Sequence, residues 1–259
     1  QNGIKRYKQK FVGYTIKLPN PHNINKAILL DWYNPYAKKS VDYVNLKKPT
    51  FCYILPLSKD TLFLEETILI SHKINDTYQE LEDKLLKRIS DYGYKDYEII
   101  DKEMNEIYLN RSIPDFYSST SLGIGVSGNM VNMMSGYSLG YNIYHIPEIC
   151  YLLIKHNFVI EDIYRNYWNF YRQVIYYINL GGLELMNNIK DEEEFNNFHR
   201  IYYEKIALLD KEHHNLIFHN CDNNISIYKL FRSALLYLDL PKDILQNMIY
   251  NVIKNFSPF

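Results

Sequence analysis

The chain has 259 residues and a formal net charge of −1, with 29 Lys and Arg against 30 Asp and Glu. That length carries one large domain or two small ones with a sizeable core, and the even charge balance lacks the basic footprint of a nucleic-acid binder. Three separated cysteines, Cys52, Cys150 and Cys221, form no Cys-x-x-Cys pair, which argues against a disulfide framework or a zinc ribbon. No apolar run approaches about 18 residues, so no membrane-spanning helix is expected. The 26 Tyr and 12 Phe accompany abundant Asn, Ile and Lys, a bias that AT-rich coding explains without any stacking role. Gln1 to Gln9 carries no signal or transit pattern and reads as mid-protein sequence, so a longer precursor is expected.

In chain order, alternation predicts strands at Lys10–Lys17, Ala27–Tyr33, Thr50–Leu57 and Thr61–Ile70. The last two are joined by Ser58-Lys59-Asp60, which reads as a hairpin turn. A helix follows, capped by Asp76 with Gln79 three residues on, with Tyr78, Leu81, Leu85, Leu86 and Ile89 at helical spacing and Gly93 beyond its end. Two weak strands, Tyr97–Asp101 and Asn105–Leu109, come next. After about residue 135 the apolar period becomes 3.6. Helices are expected near Ser135–Lys155, Ile160–Leu180, Glu192–Leu209, Ser226–Leu238 and Pro241–Lys254, with Pro241 suited to a first helical position. The acidic run Asp191 to Glu194 reads as a helix start. The fold class is therefore α+β: a mixed, mostly antiparallel sheet in residues 1–120, a connecting segment in 121–150, and a helical region in 151–259.

Between sheet and helices lies Ser121–Gly140, which contains Gly123-x-Gly125-x-x-Gly128. A dinucleotide turn needs a strand before it and a helix opening on its last glycine. Phe116–Ser121 is a poor strand, and Asn129–Met134 starts no helix. The context therefore disfavours an N-terminal-type nucleotide fingerprint. Elsewhere, His213, His214, His219 and Cys221 cluster, but no spacing matches a zinc pattern and no metal is expected. The stripe Tyr164, Tyr167, Trp168, Tyr171 and Ile175 has helical spacing and reads as core or as an apolar groove.

The segment Ile124–Ser138 resembles the second flavin-binding motif of the lycopene cyclases, a glycine-rich run leading to Met-Val-His-Pro and then Ser/Thr-Gly-Tyr. Pro49-Thr50-Phe51-Cys52-Tyr53-Ile54-Leu55-Pro56 and Phe63-Leu64-Glu65-Glu66-Thr67 resemble that family's Pro-Thr-Phe-Leu-Tyr-x-Met-Pro and Phe-Leu-Glu-Glu-Thr. Gly13-Tyr14-Thr15-Ile16 and Leu30-Asp31-Trp32 fall where the family has similar strands, and Gly181-Gly182-Leu183-Glu184-Leu185 resembles its helical region. Asn132-Met133 stands in place of the family's His-Pro. The family's N-terminal half, with its own nucleotide turn, lies outside this chain.

The resemblance implies acid-catalysed cyclisation of a carotenoid end group, with reduced FAD stabilising a carbocation. The cofactor then depends on a nucleotide-binding half, or a partner chain, beyond this sequence. It implies Glu65 and Glu66 as catalytic residues, and Gly125, Gly128, Met130, Gly136 and Tyr137 as flavin contacts, Gly136 opening a helix toward the flavin. It also implies an apolar polyene substrate, a peripheral membrane contact, and a plastid, another organelle or membrane-associated cytoplasm as the location. The acid must be buried among apolar groups to stay protonated. On alternation, Glu66 shares a face with Leu62, Leu64, Ile68 and Ile70 and is favoured as that acid, with Glu65 hydrogen-bonded near Thr67. The opposing reading pairs one Glu with Arg88 or Lys87. Two other functions stay open: a non-catalytic relative acting as an assembly subunit, and a redox flavoenzyme of the hydroxylase or prenyl-reductase type.

Overall fold

In the computed structural model, residues 6–33, 50–72, 77–133 and 136–188 are described, together with single positions beyond 196. The expected helices in 192–209, 226–238 and 241–254, the acidic run 191–194 and the His/Cys cluster at 213–221 fall outside or almost wholly outside the described residues. The chain divides into two units. One is built from Tyr7–Ile107, and the described part of the other runs from residue 108 to 188.

The first unit is a five-stranded sheet with one helix. Its strands are β1 (Lys8–Lys17), β2 (Ile28–Asp31), β3 (Thr50–Pro56), β4 (Thr61–Ser71) and β5 (Glu98–Tyr108), in the order β2-β3-β4-β1-β5. β1 with β4, β3 with β4 and β2 with β3 all pair antiparallel. The β3–β4 hairpin closes where Leu57 and Ser58 N–H both donate to the Thr61 carbonyl, at 3.0 and 3.2 Å, which places the turn at Ser58–Asp60. The first four strands form where they were expected, but clear in–out alternation is confined to the first half of β4; β2 is only Ile28–Asp31 and exposes Ile28 and Leu29. The two weak strands prove to be one: β5 runs unbroken through Asp101-Lys102-Glu103. It lies at the sheet edge, where charged side chains are tolerated and discourage further pairing.

Helix α1 (Tyr78–Asp91) packs on one face of the sheet. Thr77, not Asp76, is its N-cap. Thr77 Oγ1 accepts from the Glu80 N–H at 3.1 Å, and the Glu80 carboxylate accepts from the Thr77 N–H at 2.5 Å. The capping box is thus shifted by one residue from the expected pair. Leu81, Leu85 and Ile89 of α1 meet Val12, Tyr14 and Ile16 of β1, Cys52 and Ile54 of β3, and Leu62, Leu64 and Ile68 of β4. Period 2 on the strands and period 3.6 on the helix bring these residues to one core.

The second unit opens with an irregular segment that includes a 3-10 turn at Gly125–Gly128. Helices α2 (Leu139–Lys155), α3 (Ile160–Tyr167) and α4 (Phe170–Asn188) follow. Two expected helix boundaries move. Gly136 has φ +77°, in the left-handed region, so α2 begins at Leu139 rather than near 135. The helix expected over Ile160–Leu180 is two helices. Asn169 caps the second, its Oδ1 accepting from the Arg172 N–H at 3.1 Å. Gly181-Gly182 lies inside α4. Tyr164, Tyr167, Trp168 and Ile175 are buried in this unit, while Tyr171 is exposed.

Candidate active site

The two adjacent glutamates of β4 have opposite surroundings. Glu66 points toward α1 and is fully enclosed. Arg88 Nε donates to its Oε2 at 2.7 Å and Arg88 Nη2 to its Oε1 at 3.1 Å. Thr50 Oγ1 donates to the same Oε1 at 2.5 Å, and Lys84 Nζ stands 3.7 Å away. Arg88 continues through Nη1 to Asp31 at 2.9 Å, and Asp31 also accepts from the Tyr92 hydroxyl. Lys87 instead pairs with Asp91 at the surface. Glu66, favoured on alternation as the free acid, is therefore the carboxylate that Arg88 claims. Both of its oxygens accept hydrogen bonds from Arg88, and Oε1 also from Thr50.

This cluster accounts for three sequence motifs at once. Asp31 comes from Leu-Asp-Trp, Thr50 from Pro-Thr-Phe and Glu66 from Phe-Leu-Glu-Glu-Thr, and Arg88 ties all three to α1. Lys84 and Arg88 were detectable in the sequence. They sit four residues apart on the apolar stripe of α1, beside Leu81, Leu85 and Ile89, where a cation needs an anionic partner.

Glu65 lies on the opposite face of β4. It is directly across from Gly13 of β1 and Tyr53 of β3, and is partly buried. Thr67 Oγ1 donates to its Oε1 at 2.7 Å, as expected. Burial raises its pKa from 4.5 to about 7. The Thr67 hydrogen bond works against that rise, and the Glu103 carboxyl on β5 adds to it through repulsion and a shared hydrogen bond. Half-buried Phe11 and Thr15 of β1, Phe63 of β4 and Leu55 of β3 alternate onto the same side of the sheet. The result is a carboxyl group near neutrality on an apolar and aromatic surface. That is the environment in which a carboxylic acid keeps its proton and can give it up. Gly13 and Glu103 were not foreseen as part of this surroundings, because nothing along the chain links positions 13, 65 and 103; only the strand order does.

The glycine-rich segment belongs to the second unit. Gly123 and Gly128 serve the segment itself. A Cβ on Gly128 would fall 2.2 Å from the Gly123 carbonyl oxygen, and one on Gly123 would fall 2.8 Å from the Ser127 oxygen. Tyr164 holds the same stretch, its hydroxyl accepting from the Gly123 N–H at 2.7 Å and donating to the Ser121 carbonyl at 3.1 Å. Gly125 differs: φ is +65° and, among the described residues, only Asn142 Nδ2, at 3.9 Å, lies near its open side. Met130 is fully buried, with its N–H donating to the Gly125 carbonyl at 2.8 Å. Asn132 and Met133, which stand in place of His-Pro, are also buried. Asn132 N–H donates to the Tyr137 carbonyl at 2.9 Å, and the Gly136 N–H donates to the Asn132 carbonyl at 2.7 Å. Gly136 therefore stands three residues ahead of α2, with its amide engaged. Amides directed at a ligand from this helix would be those of its first turn, from Leu139 onward.

Two features of this segment fit an aromatic, hydrogen-bonding cofactor. Gly125 leaves its outer side open to close approach. Asn129, in the left-handed conformation, buries a side-chain Nδ2 that has no hydrogen-bond partner among the described residues. A buried amide N–H without an acceptor is costly, and a ligand acceptor would relieve it.

Comparison with known proteins agrees with both units. The chain is 26% identical over 150 residues to neoxanthin synthase, chloroplastic, of Solanum lycopersicum, covering 55% of this chain and 29% of that protein. It is 27% identical over 139 residues to lycopene beta cyclase, chloroplastic/chromoplastic, of Capsicum annuum, covering 53% of this chain and 28% of that protein. The chain thus spans under a third of the length of these relatives in the matched region. A geranylgeranyl bacteriochlorophyll reductase-like protein from Thermoplasma acidophilum has a similar fold, with a TM-score of 0.50 at 10% identity over 97% of this chain and 56% of that one. The family described as Lycopene cyclase protein matches residues 2–200. The chain belongs to the lycopene cyclase family.

Proposed function

We propose that the chain is the substrate-facing and flavin-facing part of a lycopene-cyclase-like flavoprotein, and that Glu65 is its acid. One observation carries this reading. Of the two adjacent glutamates, Glu66 is enclosed by Arg88, while Glu65 is held near neutral pH on an apolar surface. Glu65 gives its proton to a terminal double bond of an acyclic polyene end group. The neighbouring double bond closes on the resulting cation, and a proton leaves the new ring. One proton enters and one departs, so the product is an isomer of the substrate. Phe11, Phe63 and Tyr53 exclude water and offer π-faces to the positive charge. FAD, when bound in reduced form, supplies an electron-rich ring that stabilises that charge. Gly125, the Asn129 amide and the first turn of α2 are the groups here that suit it, and its nucleotide end requires chain beyond this sequence. The printed names of the relatives place them in chloroplasts or chromoplasts, and a plastid-type organelle is the matching proposal here.

The redox alternative uses the same scaffold but has no need of a protonated Glu65. The test is conversion of an acyclic carotene by the full-length protein supplied with reduced FAD, against its Glu65→Gln variant. A general acid contributes about 10²–10⁴-fold, so the variant should lose at least about 100-fold in turnover with its flavin spectrum unchanged. Undiminished cyclisation by Glu65→Gln would remove Glu65 from the chemistry. A flavin-containing wild type that reduces its substrate and forms no ring would favour the redox reading.

A further inference from the structure

The strand order places β4, β1 and β5 side by side, and so lines up Glu65, Gly13 and Glu103 across the sheet. Gly13 is the direct partner of Glu65. A Cβ built on Gly13 would lie 2.9 Å from the Phe63 ring and 3.1 Å from Glu103 Cγ. The glycine therefore leaves a gap in the middle strand, and the Glu103 side chain leans over it. Glu103 thus reaches Gly13 from one flanking strand while Glu65 faces Gly13 from the other, and the Glu103 carboxyl adds to the raised pKa of Glu65. Glu103 is exposed on the edge strand, whereas Glu65 is partly buried.

We propose that Glu103 is the positioning residue for the Glu65 proton, sharing it across Gly13 and returning it from solvent after each turnover. This rests on the reading of Glu65 as the acid. The chemistry of the pair follows from its composition. Burial and then the neighbouring Glu103 charge both favour the protonated form of Glu65. The other groups facing Glu65 do not compete for that role. On β4 Thr67 donates one hydrogen bond, on β3 Tyr53 brings a phenol, and on β1 Gly13 brings no side chain. The next same-face cation on β1, Lys17, is four residues along the strand, about 13 Å at the usual rise per residue. On β5 the same-face neighbours of Glu103 are Asp101 and Asn105, neither of them a cation. The proton count is simple. Glu65 gives the proton to the substrate, and exposed Glu103 takes one up from water and passes it across Gly13 to Glu65.

The test uses the full-length protein with 13C-labelled glutamate, following the Glu65 carboxyl resonance from pH 4 to 9 in wild type, Glu103→Gln and Gly13→Ala. Burial is the larger cause of the raised Glu65 pKa, so removing the Glu103 charge should lower the Glu65 midpoint by about one unit rather than restore an ordinary value. Gly13→Ala should do the same by pushing Glu103 aside. The basic limb of the cyclisation pH profile should move by the same amount in Glu103→Gln, while KM for the polyene stays unchanged. A Glu65 midpoint that is the same in wild type and Glu103→Gln overturns the proposal, even if Gly13→Ala fails to fold. If the midpoint shifts in a flavin-loaded protein that never forms a ring, the shared proton stands and the cyclase reading falls.

Discussion

At the scale of single residues, one pair decides the chemistry. Glu65 and Glu66 are adjacent and chemically identical, yet the pleat sends one to α1 and the other to the opposite face. Their substitutions should therefore fail differently. Glu66→Gln leaves Arg88 buried without a full counter-charge, and breaking such a pair costs about 3–5 kcal/mol; thermal denaturation should show a correspondingly large loss. Glu65→Gln should do the reverse at alkaline pH. The folded-state pKa of Glu65 is raised to about 7 from 4.5, so the stability it contributes is complete below pH 4.5 and is lost as pH rises through about 7. At about 1.4 kcal/mol per unit, that loss amounts to about 3–4 kcal/mol. The glutamine variant should therefore match wild type in melting temperature near pH 4.5 and exceed it at pH 8. A variant that is less stable than wild type at pH 8 would contradict the burial of a neutral acid here. The sequence supplied the pair and its alternation, and it supplied Arg88 as a partner. What alternation lacks is any sign of which apolar face is closed by a helix and which is left for a ligand.

At the scale of elements, the strands were legible as short runs of β-branched and aromatic residues bounded by turn residues, and the hairpin because Ser58-Lys59-Asp60 supplies its turn. Where expectation and structure part, a local hydrogen bond or dihedral outranked periodicity. Asn169 splits the long helix through its side-chain cap, and Gly136 delays α2 by its left-handed φ. The capping box of α1 is a similar case: Thr77 and Glu80 satisfy each other, one residue beyond the expected Asp76 and Gln79. Removing the cap tests this directly. Thr77→Ala should cost about 1 kcal/mol of stability, measured by denaturant unfolding, while Gln79→Ala should cost a few tenths at most. In the helical unit, Glu148 is tied to Arg172 at 2.5 and 3.0 Å. Burial opposes its ionisation, but nearby His145 and the hydrogen-bonded Arg172 outweigh burial and lower its pKa to about 2. The stability this pair adds is present above pH 4.5 and lost as pH falls through about 2. Glu148→Gln should therefore be destabilised at neutral pH and converge on wild type in strong acid.

At the scale of the molecule, the described residues form two units. The sheet unit carries Glu65, the acid of the proposed reading, and the buried cluster that ties three motifs to α1. The helical unit carries the glycine segment, with Gly125 open and the Asn129 amide awaiting an acceptor. No described helix is long and apolar enough to cross a membrane. Helix α2 nevertheless exposes Leu139, Ile143, Ile146 and Ile154 at spacings that share one side. If the substrate is the polyene proposed above, it is drawn from lipid, and this surface would suit the edge of a bilayer. The full-length protein should float with neutral phosphatidylcholine vesicles, and an Ile143→Glu, Ile154→Glu variant should remain in the aqueous fraction with its melting temperature unchanged. These features of the whole were only partly open to sequence reading. The order of motifs along the chain identified the scaffold, whereas the convergence of Asp31, Thr50 and Glu66 on Arg88 required the fold.

The central claim is that the proton comes from Glu65 and not from Glu66. The most direct measurement compares ring formation from an acyclic carotene by full-length wild type, Glu65→Gln and Glu66→Asp, each with reduced FAD and each checked for a folded melting transition. The account predicts at least about a 100-fold loss in Glu65→Gln at undiminished stability. It predicts that Glu66→Asp, which keeps the charge facing Arg88, loses stability but retains ring formation in the fraction that remains folded. A folded Glu65→Gln protein that cyclises at the wild-type rate, alongside a folded and inactive Glu66→Asp, would contradict it.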